Sequence, residues 1–116
     1  MKFSIWNQLW EHEETVKASP EEAYQGLLEF YKNSSGSFVL DQAIAPDTFS
    51  FHRGNILVSA LGLGSELWCK HYVKVVVEHS NDESKIQWKI NLRIFGFQGI
   101  SNAIIDECKK AITQIA

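Results

Sequence analysis

The chain has 116 residues, 45% of them hydrophobic and 22% charged, with a formal net charge of -3 at pH 7. Those values exclude a disordered chain and set the expectation of one domain with a core of its own. The acidic balance argues against a nucleic-acid partner, and no run approaches the roughly 18 apolar residues of a membrane-spanning helix.

The N-terminal piece from Met1 to Trp10 has two readings, a short helix or the start of a bulged strand. Its Trp6 and Trp10 either pack against the domain or offer a surface to a partner or a membrane interface. Asn7, Gln8 and Glu11 interrupt any leader-like apolar stretch, so the expected location is cytoplasmic. Glu11 to Ala18 alternates as a strand, with Trp10, His12, Glu14 and Val16 on one face. It stops at Ser19-Pro20-Glu21-Glu22, a helix start: Ser19 as N-cap, Pro20 at the first helical position, Glu22 completing a capping box. Ala23, Leu27, Phe30 and Tyr31, flanked by Tyr24 and Leu28, give that helix its apolar face, which runs to about Lys32.

A polar loop from Asn33 to Gly36 leads to a second strand, where Phe38, Leu40, Gln42 and Ile44 alternate with Val39, Asp41 and Ala43. Ala45-Pro46-Asp47 reads as a turn. Thr48 to Arg53 puts Phe49, Phe51 and Arg53 on one face, and Gly54-Asn55 ends it. Ile56 to Leu61 reads as a further strand, and Gly62-Leu63-Gly64-Ser65 as a tight turn, since it lacks the lysine and following apolar helix of a phosphate loop. Trp68 to His79 is expected to be the longest strand, with Cys69, His71, Val73, Val75 and Val77 opposing Lys70, Tyr72, Lys74, Val76 and Glu78. A charged hairpin turn, Ser80 to Ser84, follows.

The last third organises the rest. From Lys85 to Ile94 the alternation is unbroken, with Ile86, Trp88, Ile90, Leu92 and Ile94 on one face. After Gly96 and Gly99 the period becomes helical, and Ile104, Cys108, Ala111, Ile112 and Ile115 form one stripe. A one-faced strand followed by a one-faced helix requires a sheet with that helix laid across it. The expected fold is therefore α+β in a single domain: a curved antiparallel sheet of five to six strands in the order β-α-β4/5-α, with the helices on one face.

The run Val16-Lys17-Ala18-Ser19-Pro20-Glu21-Glu22-Ala23-Tyr24, then a meander and a long C-terminal helix, resembles the START/Bet v1-like (SRPBCC) helix-grip superfamily. The resemblance implies a cavity between the sheet and the last helix, used for lipids, hydrophobic metabolites or occasionally catalysis. A sheet with two helices is also the plan of the TATA-binding protein, but the acidic charge argues against a DNA-binding use here.

Several residue groups are candidates for chemistry. His12 and Glu14 share a strand face and could hold a metal or a proton, although no third ligand accompanies them. His52, His71 and His79 lie on separate strands. Cys69 and His71 could form an activated thiol, yet nothing nearby supplies an oxyanion hole, and a buried, hydrogen-bonded histidine is the simpler reading. Both Cys69 and Cys108 read as buried free thiols. Arg53 reads as a strand-end residue reaching to water. If its face is interior, it needs a carboxylate, with Glu14 or Glu66 as candidates. The expected function is binding of a hydrophobic small molecule between the sheet and the Ser101–Ala116 helix, lined by Trp10, Phe51, Arg53, Trp68, His71, Trp88, Ile104 and Cys108. Arg53 or His71 would orient a polar head. The alternative is a non-enzymatic interaction or assembly module with a filled core, working through its outer sheet face or the Trp6/Trp10 segment, alone or as a homo-oligomer. No catalytic residue, metal or cofactor is assigned.

Overall fold

The computed structural model describes residues 6–34, 38–45, 47–54, 70–80, 82–94 and 102–115. In chain order these form β1 (Trp6–Val16), α1 (Pro20–Lys32), β2 (Val39–Ile44), β3 (Thr48–Arg53), β4 (His71–Ser80), β5 (Glu83–Ile94) and α2 (Asn102–Ile115). Among the described residues the sheet is antiparallel throughout, in the order β1-β5-β4-β3-β2. The expected strand at 56–61, the turn at 62–65, and Trp68 and Cys69 lie outside the described residues.

One sheet face holds the core. Val16, Phe49, Phe51, Val73, Val75, Val77, Ile86, Trp88 and Ile90 are buried there, as the period-2 pattern requires. Both helices cover this face: α1 contributes Ala23, Tyr24, Leu27, Leu28 and Tyr31, and α2 contributes Ile104, Cys108 and Ala111. The stripes read from the sequence are therefore the faces that pack. The cap of α1 forms in part: Ser19 Oγ accepts the Glu22 backbone N–H at 3.2 Å, while its hydroxyl, rather than its backbone N–H, donates to Glu22 Oε1.

Four boundaries differ from expectation. Of the two readings of the N-terminal segment, the strand holds from Trp6 onward but without the bulge: it is the first half of β1, which pairs with β5 in unbroken register from Trp6↔Ile94 to Val16↔Ser84. That strand ends at Val16, two residues early, because the Ala18 N–H turns back to the Val16 carbonyl at 3.0 Å. β4 begins at His71, so the longer strand is β5, at 12 residues. The hairpin between β4 and β5 is also tighter than expected: Ser80 already pairs with Glu83. Ser84 accordingly lies in β5, buried, with its hydroxyl donating to the Ala18 carbonyl at 2.7 Å. β3 is followed by Gly54 at φ 90, a conformation other residues rarely adopt.

β2 is a strand, but every one of its residues is exposed. It sits at the sheet margin among the described residues, and a bulge between Leu40 and Gln42 breaks its alternation. Phe38, just before it, turns inward instead and packs 5.0 Å from the Phe51 ring.

Candidate functional site

The register lays the inner face of the sheet out in rows. His71 and Arg53 form one, Trp10, Ile90, Val73 and Phe51 the next, and His12, Trp88, Val75 and Phe49 a third. Arg53 and His71 are thus direct cross-strand neighbours, which the sequence could not reveal because about 17 residues separate the two strands.

Arg53 is 1% exposed, so the strand-end reading is overturned: its face is the interior, and α2 covers it. The expected carboxylate partner is also different. It is Glu107 on α2, which meets the guanidinium as a fork, Nη1 to Oε2 at 2.9 Å and Nη2 to Oε1 at 2.5 Å. Glu14 instead pairs with His12, and Glu66 lies outside the described residues. Arg53 Nη1 also donates to Ser34 Oγ at 3.0 Å, and its Nε donates to His71 Nε2 at 3.1 Å. Four of the five guanidinium N–H groups thereby find acceptors. The Tyr31 and Phe51 rings lie 5.4 Å and 5.2 Å from its central carbon and add cation–π attraction in a water-poor setting.

The helix end places Ser34 for this role. The Ser34 backbone N–H and hydroxyl both donate to the Tyr31 carbonyl at the close of α1, leaving the oxygen lone pairs free to accept from Arg53. His71 is buried and its Nε2 acts as acceptor toward Arg53, which fixes that nitrogen as unprotonated.

A second linkage lies beside the first. Trp88 Nε1–H donates to Tyr31 Oη at 2.9 Å, and the Tyr31 hydroxyl donates to Cys108 Sγ at 3.7 Å. Strand, first helix and second helix are thus joined through one buried phenol. Burial, reinforced by Cys108 and Glu107 nearby, holds the Tyr31 phenol well above its ordinary range. Burial also pushes the Cys108 thiol up to about 12, with Glu107 and Glu14 adding to the effect against the Tyr31 hydrogen bond and the Arg53 charge. At neutral pH it is a protonated, unreactive thiol.

Of the residues named from the sequence, Phe51, Arg53, His71, Trp88, Ile104 and Cys108 come together in the space between sheet and α2, each 2% exposed or less. Trp10 packs at the margin of this cluster, half-buried. Trp68 lies outside the described residues. His12 and Glu14 share a face as expected and meet at 2.8 Å, with the His12 ring 5.5 Å from that of Trp88. Sequence reasoning missed Glu107, Ser34 and the hydrogen-bonding role of Tyr31. The available signal was Glu107 itself: it flanks Ile104 and Cys108 on the apolar stripe, where a carboxylate needs a buried cation.

Outside this cluster, an open groove of about 770 Å³ runs between the helices, lined by residues that include Phe30, Ser34, Glu107, Lys110 and Ile115. Ser34 and Glu107 are two of the groups that hold Arg53, so the groove reaches the edge of the buried network.

No protein-family model matches the sequence, and no curated protein sequence does. Solved structures do. The crystal structure of Ara h 8.0201, a Bet v1-family protein, is similar with a TM-score of 0.65 at 13% identity, over 95% of this chain and 95% of its own. Mll3558 from Rhizobium loti gives 0.63 at 10% identity, over 97% of each chain. PFC0360w from Plasmodium falciparum, described as an HSP90 activator, gives 0.53 at 12% identity, over 91% of this chain and 88% of its own. At such identities the likeness concerns fold alone, and the fold is Bet v1/START-like.

Proposed function

We propose that this domain is a non-catalytic helix-grip module that takes an apolar small molecule between its sheet and α2, entering by the groove between the helices. The observation that carries the reading is that groove, about 770 Å³, with Ser34 and Glu107 in its lining and Arg53 directly behind them. A ligand's apolar body would lie against Phe30 and Ile115 and then meet Trp10, Phe51, Trp68, Trp88, Ile104 and Cys108. Arg53 or His71 would receive its polar end. Since the described interior is already packed with side chains, the ligand must displace α2 locally, and affinity is what remains after that repacking.

A thermal-shift series with saturated fatty acids of increasing length, and their uncharged alcohols, tests this. A ligand at about 100 times its Kd adds about 2.7 kcal/mol to the native state, a rise in Tm that is easily read. Longer chains are expected to give larger shifts, and amide NMR changes should centre on α2. A flat series with α2 resonances unmoved rejects the reading.

A second reading, an interaction or assembly module with a filled core, is favoured by one surface. Val39, Leu40 and Ile44 on β2 are 46%, 38% and 52% exposed, an apolar patch along a strand margin. Two similar structures carry compatible descriptions, an Aha1 dimer from Colwellia psychrerythraea and the HSP90 activator.

A further inference from the structure

The outer face of the sheet, turned away from both helices, carries charges that folding does not require. Two cross-strand rows lie side by side there: Ser50, Lys74 and Lys89 in one, His52, Tyr72 and Asn91 in the other. Lys74 and Lys89 are direct register partners on neighbouring strands, and both are exposed. Like charges placed opposite each other destabilise a sheet. Neither lysine has an ion-pair or hydrogen-bond partner for its ammonium group among the described residues. The acids nearby are otherwise engaged: Asp41 with His52 Nδ1 at 2.8 Å and 3.0 Å, and Glu13 with Lys85 at 3.4 Å. Glu11 faces Lys89 across β1 and β5 without forming an ion pair.

Beside the two lysines is an orphan. Asn91 Oδ1 is buried and has no hydrogen-bond partner. An unpartnered buried acceptor is costly, about 1–3 kcal/mol, and such groups are rare in folded proteins. Asp41, Ser50, Tyr72, Lys74, Lys89 and Asn91 line a single hollow of about 260 Å³.

We propose that this hollow binds a phosphate monoester of a small hydroxylated molecule. The phosphate sits between the Lys74 and Lys89 ammonium groups, where its charge of about -1.5 to -2 cancels their repulsion. The Ser50 hydroxyl donates to a phosphate oxygen. The half-buried Asn91 side chain turns its Oδ1 outward to accept from a ligand hydroxyl, and as an acceptor it repels a second anionic oxygen and so selects an ester over a bare anion. Asp41, on the opposite rim and held by His52, confines the anion to the lysine side. The net charge of -3 disfavours long polyanions but leaves this local pair free to hold one phosphate. The site is independent of the grip on the other face, so either can fail alone.

An NMR titration at constant ionic strength with ribose 5-phosphate, inorganic phosphate and ribose tests the proposal. Ribose 5-phosphate is expected to give saturable shifts at Tyr72, Lys74, Lys89 and Asn91, inorganic phosphate to bind about tenfold more weakly, and ribose not to bind. Lys89→Gln and Lys74→Gln should each weaken ribose 5-phosphate about tenfold or more. Lys89→Gln should also raise the Tm of the ligand-free protein, which loss of a structural contact would not do. Fatty-acid shifts should be the same in both lysine variants. Absence of saturable shifts, undiminished binding by Lys89→Gln, or a fall in its ligand-free Tm overturns the site; equal affinity for inorganic phosphate and ribose 5-phosphate overturns the part assigned to Asn91.

Discussion

Arg53 and Glu107 decide the interior at the residue scale. Their charges are withdrawn from water, and the fork geometry together with Ser34 and His71 offsets that desolvation. Removing one partner leaves the other charge buried alone, so Glu107→Ala is expected to lower stability by about 3–5 kcal/mol in denaturant unfolding. Replacing both, as Arg53→Met with Glu107→Leu, should recover most of that loss or exceed it. A double variant as unstable as the single one would mean the pair contributes more than mutual neutralisation. Cys108 gives a second expectation. Its folded-state pKa of about 12 stands above the ordinary 9.0, so the native state retains a proton that the unfolded chain releases. That contribution is intact below pH 9 and lost as pH rises toward 12. Unfolding free energies from pH 8 to pH 11 should therefore fall less steeply in Cys108→Ala than in the parent, both compared in a Cys69→Ser background. Parallel slopes would argue against a buried thiol.

At the scale of elements, the helices are held by different means. α1 carries its own start signal, Ser19 with Pro20 and two first-turn acids, and Ser19 Oγ does accept from Glu22 N. Ser19→Ala is expected to cost about 1 kcal/mol, and Ser19→Gly only a few tenths, by chemical denaturation. Equal losses would assign the effect to something other than the cap. α2 has no acid in its first turn and no base in its last. What fixes it is tertiary: the buried stripe of Ile104, Cys108 and Ala111, the Glu107 fork to β3, and its packing on α1. There, a Cβ added to Gly26 would stand 3.0 Å from Ile115 Cγ1. Gly26 thus lets the two helices approach each other, and Tyr31 reaches from α1 to Trp88 on β5.

For the whole molecule, the two faces of the sheet differ in character. The inner face is packed and covered, and the outer face is polar, with Leu9 at 73% exposure its most exposed apolar residue among those described. The grip reading and the assembly reading part here, since they require different solution states. Light scattering on a sizing column is expected to return a monomer whose Tm rises with apolar ligands. The Asp41 bulge interrupts the edge along which a second copy would pair. A dimer that Ile44→Lys converts to monomer would favour assembly instead.

The sequence by itself determined what depends on neighbours along the chain. Strand faces such as Ile86-Trp88-Ile90, the Ser19-Pro20 start of α1 and the Ile104-Cys108-Ala111 stripe all follow from local period and capping, and with them the α+β plan. It also placed His71, Trp88 and Cys108 on faces that would be interior. Tertiary structure alone decided which interior groups meet. Arg53 finds Glu107 from 54 positions away, and Trp88 finds Tyr31 from 57. β2, though strand-like in pattern, ends up bare because at the margin of the sheet neither α1 nor α2 packs over it among the described residues. Periodicity reports the direction in which a side chain points; partner identity is set by sheet register and helix placement, which arise only when distant segments pack.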